Sequence, residues 1–272
     1  MISANPIPLR LAVVFALIFQ PLAAFAQPNT TSLQLIYEVE WGKVDVVTIT
    51  ADWTFSEDAF ELLATSRTIG LTDAFRKYRG EAELSGIIED GRYMPHRLAI
   101  SGMSKRRSRE AFTTWAPGSG SIATQRQPEL DLDKVFPLRD RQIDGALDPF
   151  SAMLNILDKV AHTGSCKGSA RTYDGLRASE LTFYDFGSEL VAKDRAFAYE
   201  GKALVCGLVG KPTGGHQRKS RWRKKQSKPE DIKIFVAEVR QGLFLPVRMQ
   251  AKSFLGTVTA RLVMPSLIYK KL

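Results

Sequence analysis

Cysteine and histidine are scarce in this sequence, with two Cys and three His among 272 residues. The histidines, His96, His162 and His216, lie far apart and show none of the spacings typical of metal sites. The chain contains no G-x-S-x-G nucleophile turn and no S-x-x-K with its partner motifs. The Gly-Ser-Gly stretch at 118–120 lacks the Lys and the helix of a phosphate-binding loop. We therefore expect no metal, no cofactor and no enzymatic activity.

Long hydrophobic runs are also lacking, since no stretch beyond the N-terminus approaches about 18 uninterrupted apolar residues. The run LAVVFALIF at 11–19 follows Arg10, is broken by Gln20-Pro21 and precedes the small-x-small sequence of 24–26. This pattern is typical of a secretory signal peptide at 1–26, with an uncleaved membrane anchor as the alternative. We expect a periplasmic mature chain, 27–272, with no transmembrane segment.

The two cysteines fit an oxidising compartment. Cys166 and Cys206 form an even pair, which favours one disulfide over the alternative of two buried free thiols. The bond would close a loop of about 40 residues and stabilise the fold by roughly 4 kcal/mol on the chain-entropy estimate.

Alternating apolar and polar residues dominate the mature chain. In LQLIYEVEW (33–41) the apolar side chains share one face, and VDVVTITADW (44–53) is rich in β-branched residues. Further strand-like runs with turn signals about every ten residues continue to the C-terminus. These patterns predict a mainly β, single-domain fold: one strongly curved or clam-like antiparallel sheet, a half-barrel or partly closed barrel, with one main α-helix.

That helix is predicted at 148–160, where Asp148 caps the N-terminus and Pro149 occupies the first helical position. Its apolar stripe is more typical of core packing than of a ligand site. We nevertheless place the stripe and the inward residues of the first strands on the lining of a concave apolar face: Tyr37, Val39, Trp41, Trp53, Phe150, Met153, Leu154 and Leu157.

Seven of the 38 Lys and Arg residues lie in one stretch, GHQRKSRWRKKQSKP at 215–229, between two predicted strands. A solvated hairpin loop is one interpretation, and Lys and Arg there would also discourage edge pairing. Contact with anionic lipid or lipopolysaccharide is the other, with the basic run KRRSR at 105–109 as a second cluster acting beside it. Nucleic acid is not an expected partner of an exported chain. The candidate contact residues are Arg218, Lys219, Arg221, Trp222, Arg223, Lys224 and Lys225.

The order of several turns and strand edges resembles the uncharacterised exported bacterial family known as domain of unknown function 3108. The pieces that carry the resemblance are Leu35 to Val39, Asp90-Gly91, Met94-Pro95, Asp148 to Ser151, Tyr173 to Gly175, Leu204 to Cys206, Pro212 to Gly215 and Leu245 to Arg248. The long basic insertion after Gly215 departs from the family pattern.

The resemblance implies a curved, clam-like antiparallel sheet similar to the half-barrels of lipoprotein carriers, with a helix near the open side. It supplies no catalytic residues. We therefore expect a non-enzymatic periplasmic envelope protein that binds a hydrophobic or lipid-derived ligand in its curved sheet. The alternatives are an envelope interaction or structural protein that uses the basic loop on lipid, lipopolysaccharide or a protein partner, and an enzyme.

Overall fold

The structure is a computed structural model that describes residues 30–105, 107–116, 120–219, 226–264 and 268–271. The predicted signal peptide at 1–26 lies outside the described residues. So do the central residues of the basic loop, at 220–225.

The first half of the sheet is built from consecutive antiparallel hairpins. Each strand pairs with the next along the chain, as short turns between antiparallel strands allow. The strands are β1 (Thr31–Trp41), β2 (Val44–Phe55), β3 (Ala59–Thr68), β4 (Tyr78–Glu89), β5 (Arg92–Ser104), β6 (Arg107–Trp115) and β7 (Ile122–Gln127).

The second half follows the main helix and joins the first half through β1. Its strands are β8 (Gly168–Tyr173), β9 (Ala178–Val191), β10 (Gly201–Gly214), β11 (Ile232–Arg240), β12 (Leu243–Ser253), β13 (Gly256–Leu262) and β14 (Ile268–Lys271). In the described residues the order is β7-β6-β5-β4-β3-β2-β1-β13-β12-β11-β10-β9-β8. Strand β14 also pairs with β1, beside its first residues.

The sheet is not closed into a barrel by a backbone ladder, because β7 and β8 are its edges in the described part of the chain. Side chains nevertheless connect these edges. Arg126 on β7 donates from Nη2 to the hydroxyl of Tyr173 on β8 at 2.7 Å, and from Nε to the carbonyl of Gly175 at 3.2 Å. The predicted fold class, a mainly β, strongly curved antiparallel sheet, is confirmed.

In the described part of the chain, three α-helices interrupt the strands: α1 (Gly70–Phe75), α2 (Asp140–Ile143) and α3 (Pro149–Thr163). The helix predicted at 148–160 is α3. As predicted, the carboxylate of Asp148 accepts hydrogen bonds from the amides of Phe150 and Ser151. Gly164 ends the helix with φ 66°, a left-handed conformation that glycine adopts without strain. Helices α1 and α2 are not predicted by the sequence patterns.

Helix α3 contacts β5, β8 and β12, which are not neighbours in the sheet. A single helix can contact them all only because the sheet curves around it. Strand bulges between Ser85 and Gly86 and between Phe235 and Val236 add to this curvature. Gly86 also leaves space for the buried ring of Phe60, whose nearest atom would lie 2.3 Å from a Cβ at this position.

The disulfide between Cys166 and Cys206 is present, and both residues are buried. It lies in a cluster with Ile156, Val160 and Phe183. The bond therefore links the segment after α3 to β10 beneath the helix, and this prediction from the sequence is confirmed.

Candidate functional site

A cavity of about 910 Å³ lies between α3 and the curved sheet. Its walls come from β1, β2, β3 and β12, with contributions from the end of β4, the start of β5 and the turn between β11 and β12. Most lining residues are apolar, and they include Leu33, Leu35, Tyr37, Ile49, Ala51, Trp53, Leu62, Ala64, Phe150, Met153, Leu154, Leu157, Leu245 and Met249.

Strand alternation places these wall residues on one face. Leu33, Leu35 and Tyr37 of β1 are paired with Trp53, Ala51 and Ile49 of β2 respectively. The next strand continues two of these rows, because Leu62 pairs with Trp53 and Ala64 pairs with Ala51. Directly opposed residues share a face of the sheet, so the rows form a continuous apolar wall.

The opposite wall is the half-buried side of α3. Phe150, Met153, Leu154 and Leu157 lie three or four positions apart and line the cavity. A second side of the same helix, which includes Ile156 and Val160, packs into the cluster around the disulfide. One side of α3 therefore anchors the helix, and the other side covers the cavity.

Asn155 fixes α3 to the edge of the cavity. Its Oδ1 accepts a hydrogen bond from the backbone amide of Tyr93 at 3.0 Å, and its Nδ2 donates to the Tyr93 carbonyl at 2.9 Å. The side-chain amide thus pairs with β5 as a neighbouring backbone would. This contact holds the helix over the sheet without filling the space between them.

Aromatic rings cluster at one end of the cavity. The ring of Trp53 stacks on Phe55 with centroids 5.7 Å apart, and Tyr93 meets both Phe55 and Phe60 edge to face. These geometries are favourable for aromatic pairs and give this end of the cavity a rigid wall.

Polar groups reach the cavity at few places. The hydroxyl of Tyr37 donates to the carbonyl of Pro246 at 3.0 Å, and burial raises the pKa of this phenol, which keeps it neutral. Asp158 and the exposed turn residues Arg240 and Gln241 also line the space. Burial and the nearby carboxylate of Asp158 raise the pKa of Tyr93. The polar lining thus lies mainly at the turn and on α3, with apolar strands behind it.

The candidate lining residues divide into two groups. The structure brings together Tyr37, Trp53 and the four residues of α3 around the cavity, whereas Val39 and Trp41 are not among its lining residues. The indole of Trp41 donates to the hydroxyl of Ser253 at 2.9 Å and meets Phe254 edge to face. Val39 and Trp41 keep the alternation of β1, but they lie at the end of the strand beside the β1–β2 turn, away from the cavity.

The sequence patterns do not identify several other lining residues, for a physical reason. Ile49 and Ala51 lie in a strand with β-branched or small residues at most positions, so its pattern does not distinguish the two faces. Leu245 and Met249 come from β12, whose place beside β13 and β1 depends on long-range pairing. The local signal that could have identified Ala51 and Ile49 was their spacing of two and four residues from Trp53, which is predicted to face inward.

The basic loop is described only at its ends. The guanidinium of Arg218 lies 5.3 Å from the ring centroid of Phe136 and donates to the Leu132 carbonyl at 3.3 Å. Lys219 is exposed. The other candidate contact residues, Arg221, Trp222, Arg223, Lys224 and Lys225, lie outside the described residues. Arg218 therefore packs against the segment before α2.

The remaining titratable groups form no metal site in the described part of the chain, where no three His, Cys, Asp or Glu side chains are grouped suitably. His216 binds the hydroxyl of Ser179 at 2.9 Å, and His162 contacts Asp158 at 3.3 Å. No helix among the described residues has the length and apolar character required to cross a membrane.

Comparison with solved structures finds a similar chain in the crystal structure of a β-barrel-like protein of domain of unknown function DUF1849 from Brucella abortus. The two share 10% identity with a TM-score of 0.49, over 91% of this chain and 99% of the other. No curated protein matches the sequence. The profile of the family described as protein of unknown function DUF3108 matches residues 36–263, and the chain belongs to this family.

Proposed function

We propose that this protein is a non-enzymatic, periplasmic envelope protein that binds a hydrophobic or lipid-derived ligand between α3 and the sheet. The observation that carries the proposal is the apolar cavity of about 910 Å³. Its size falls within the range of roughly 300 to 1,000 Å³ that is usual for small-molecule sites. Apolar walls favour an apolar ligand because its burial removes hydrocarbon from water.

Two features support binding in preference to packing alone. Phe150, Met153 and Leu154 are only partly buried although they belong to the side of α3 that faces the sheet. The cavity also has polar lining groups, including Asp158, Arg240 and Gln241, that can contact the polar end of an amphiphile. A lipid-derived molecule with one apolar chain and one polar group matches this distribution.

Binding in place of catalysis is supported by the positions of these polar groups. Asp158 lies on α3, and Arg240 and Gln241 lie in an exposed turn, while the neighbouring strands present mostly apolar side chains. The hydroxyl of Tyr37 is engaged by the Pro246 carbonyl. The periplasmic location is supported by the predicted signal peptide and by the disulfide.

Native mass spectrometry of protein purified from its own periplasm tests the proposal directly. We expect an additional mass that organic extraction releases and that mass analysis identifies as a lipid or another hydrophobic compound. The extracted protein should then bind the fluorescent apolar probe N-phenyl-naphthylamine.

A substitution that fills part of the cavity tests whether the apolar probe binds there. Ala51→Phe places a ring among the lining residues and should weaken probe binding about tenfold or more, a loss of about 1.4 kcal/mol. Ala123→Phe on the exposed edge strand β7 is the matched control and should bind as the wild type does. Equal binding by the Ala51→Phe protein, or a wild-type protein that neither carries nor takes up an apolar molecule, would contradict the proposal.

A further inference from the structure

Several turns meet at the end of the sheet opposite the turn formed by Arg240 and Gln241. The β1–β2 turn joins the β12–β13 turn through the Gly42 amide, which donates to the Thr257 carbonyl at 2.9 Å. Helix α1 packs against the start of β2, and Tyr78 after α1 pairs with Ser104 before the β5–β6 turn. We call this group of turns, together with α1, the α1 end.

The α1 end exposes large apolar side chains. Leu71 is 72% exposed and Phe75 is 77% exposed, and α1 buries none of its six residues. Neighbouring turns and strand ends expose Leu255 at 65%, Met103 at 58% and Val44 at 51%. Several large apolar side chains exposed at one end of a sheet are typical of an interaction site.

Basic side chains lie at the same end of the sheet as these apolar groups. Those of the described residues that are exposed at the α1 end include Lys43, Arg76, Lys77, Lys105 and Arg107. The nearby acids are already paired with arginines: Asp73 contacts Arg79 at 2.8 Å, and Asp45 contacts Arg195 at 2.9 Å. The α1 end therefore combines apolar side chains with an excess of positive charge.

We propose that the α1 end docks on an anionic lipid surface. Leu71 and Phe75 enter the boundary between head groups and acyl chains, while the surrounding Lys and Arg contact lipid phosphates. The long stems of Lys and Arg allow their charges to reach the phosphates beside inserted apolar groups. Anionic lipid is favoured over an apolar protein partner because it matches both the apolar and the basic components.

This surface is distinct in sequence from the basic loop at 215–229, although Gln226 of that loop donates to the Lys252 carbonyl at 3.2 Å, beside the β12–β13 turn. The inserting residues Leu71 and Phe75 precede the basic loop by more than a hundred positions, and no exposed apolar residue of the α1 end lines the cavity. The surface also does not depend on a bound ligand, so the docking proposal stands or falls independently of the proposed function.

Co-sedimentation with vesicles tests the proposal on the purified protein. At low salt we expect binding to vesicles of phosphatidylglycerol and phosphatidylethanolamine, and little binding to pure phosphatidylcholine vesicles. The double substitution Leu71→Ser/Phe75→Ser should weaken binding about tenfold or more, because it removes the inserting side chains. Its melting temperature should match the wild type, since both residues are exposed.

Charge substitutions test the second component. Lys105→Gln/Arg107→Gln should weaken binding roughly twenty-fivefold at low salt, at about fivefold for each cation near the surface. The matched control Arg92→Gln/Lys202→Gln removes two exposed cations from the opposite end of the strands. Leu190→Ser removes an apolar side chain that is 83% exposed away from the α1 end. Both controls should bind as the wild type does.

Three outcomes would overturn the proposal. The first is wild-type protein that ignores anionic vesicles at low salt. The second is vesicle binding that survives both α1-end substitutions but is lost when Lys219, Arg223 and Lys224 are changed to Ser, which would assign the contact to the basic loop. The third is a wild-type dimer that Leu71→Ser/Phe75→Ser dissociates without any vesicle binding, since a second copy would then be the partner.

Discussion

The cavity and the α1 end use similar side chains in opposite surroundings. Phe60 packs beside Trp53 and Tyr93 near the cavity and is only 1% exposed, whereas Phe75 on α1 is 77% exposed. The cavity encloses its apolar groups within a curved sheet, and the α1 end presents them outward among cations. The difference shows that composition alone does not distinguish an apolar ligand site from an apolar docking surface. The curvature of the sheet around a residue and the charges beside it make that distinction.

The largest expected difference in stability is between substitutions of these two phenylalanines. Phe60→Ala should lower the free energy of unfolding by about 3–5 kcal/mol, because it leaves a void in the aromatic cluster. Phe75→Ala should change that free energy by no more than about 0.5 kcal/mol, since its ring is exposed. Urea denaturation monitored by circular dichroism measures both values. Similar losses in the two variants would mean that α1 belongs to the core.

A smaller loss of stability is expected when the contact that holds α3 over the cavity is removed. Asn155→Leu should cost about 1–3 kcal/mol, because it leaves polar backbone groups of Tyr93 without their partner. The amide of Tyr93 should then exchange its hydrogen faster, while the amide of Leu98 on the same strand should remain protected. Bound apolar probe should also dissociate faster. An unchanged Tyr93 exchange rate would show that Asn155 does not hold α3 in place.

The smallest expected change in the free energy of unfolding concerns Asp194, a carboxylate paired with arginines, in contrast to the cations of the α1 end. On the outer face, Arg261 and Arg248 contact Asp194 at 2.7 Å and 3.0 Å. Burial opposes ionisation of Asp194, but the hydrogen bond from Arg261 and the two positive charges prevail and lower its pKa. Asp194→Asn should cost about 1 kcal/mol or less, because the carboxylate is partly exposed.

The sign of the pH dependence follows from that lowered pKa. The stabilisation by Asp194 is fully present above the pKa of an unfolded Asp, about 3.9, and is lost as the pH falls through the lower folded value. The difference between wild type and Asp194→Asn should therefore shrink in acid. Lys105→Gln should produce no such pH-dependent difference in urea denaturation. A constant difference for Asp194→Asn would indicate that packing, not charge, explains the loss.

Local sequence patterns were sufficient to predict much of the fold. Alternation in 33–41 marks the inward face of β1, because successive side chains of a strand point to opposite faces. Asp148 and Pro149 mark the start of α3 through requirements of the first helical turn. Helix α1 escaped prediction because it has six residues and no buried side chain, so no amphipathic stripe develops.

The sequence by itself determined the mainly β class, the main helix, the pairing of Cys166 with Cys206 and most of the candidate lining residues. Each follows from local periodicity, from capping or from a count. Tertiary structure alone decided that Val39 and Trp41 lie off the cavity, that β12 supplies part of its wall and that Leu71 and Phe75 share one end of the sheet with cations from other turns. These outcomes depend on the curvature of the sheet and on pairings between distant strands, which no short stretch of sequence specifies.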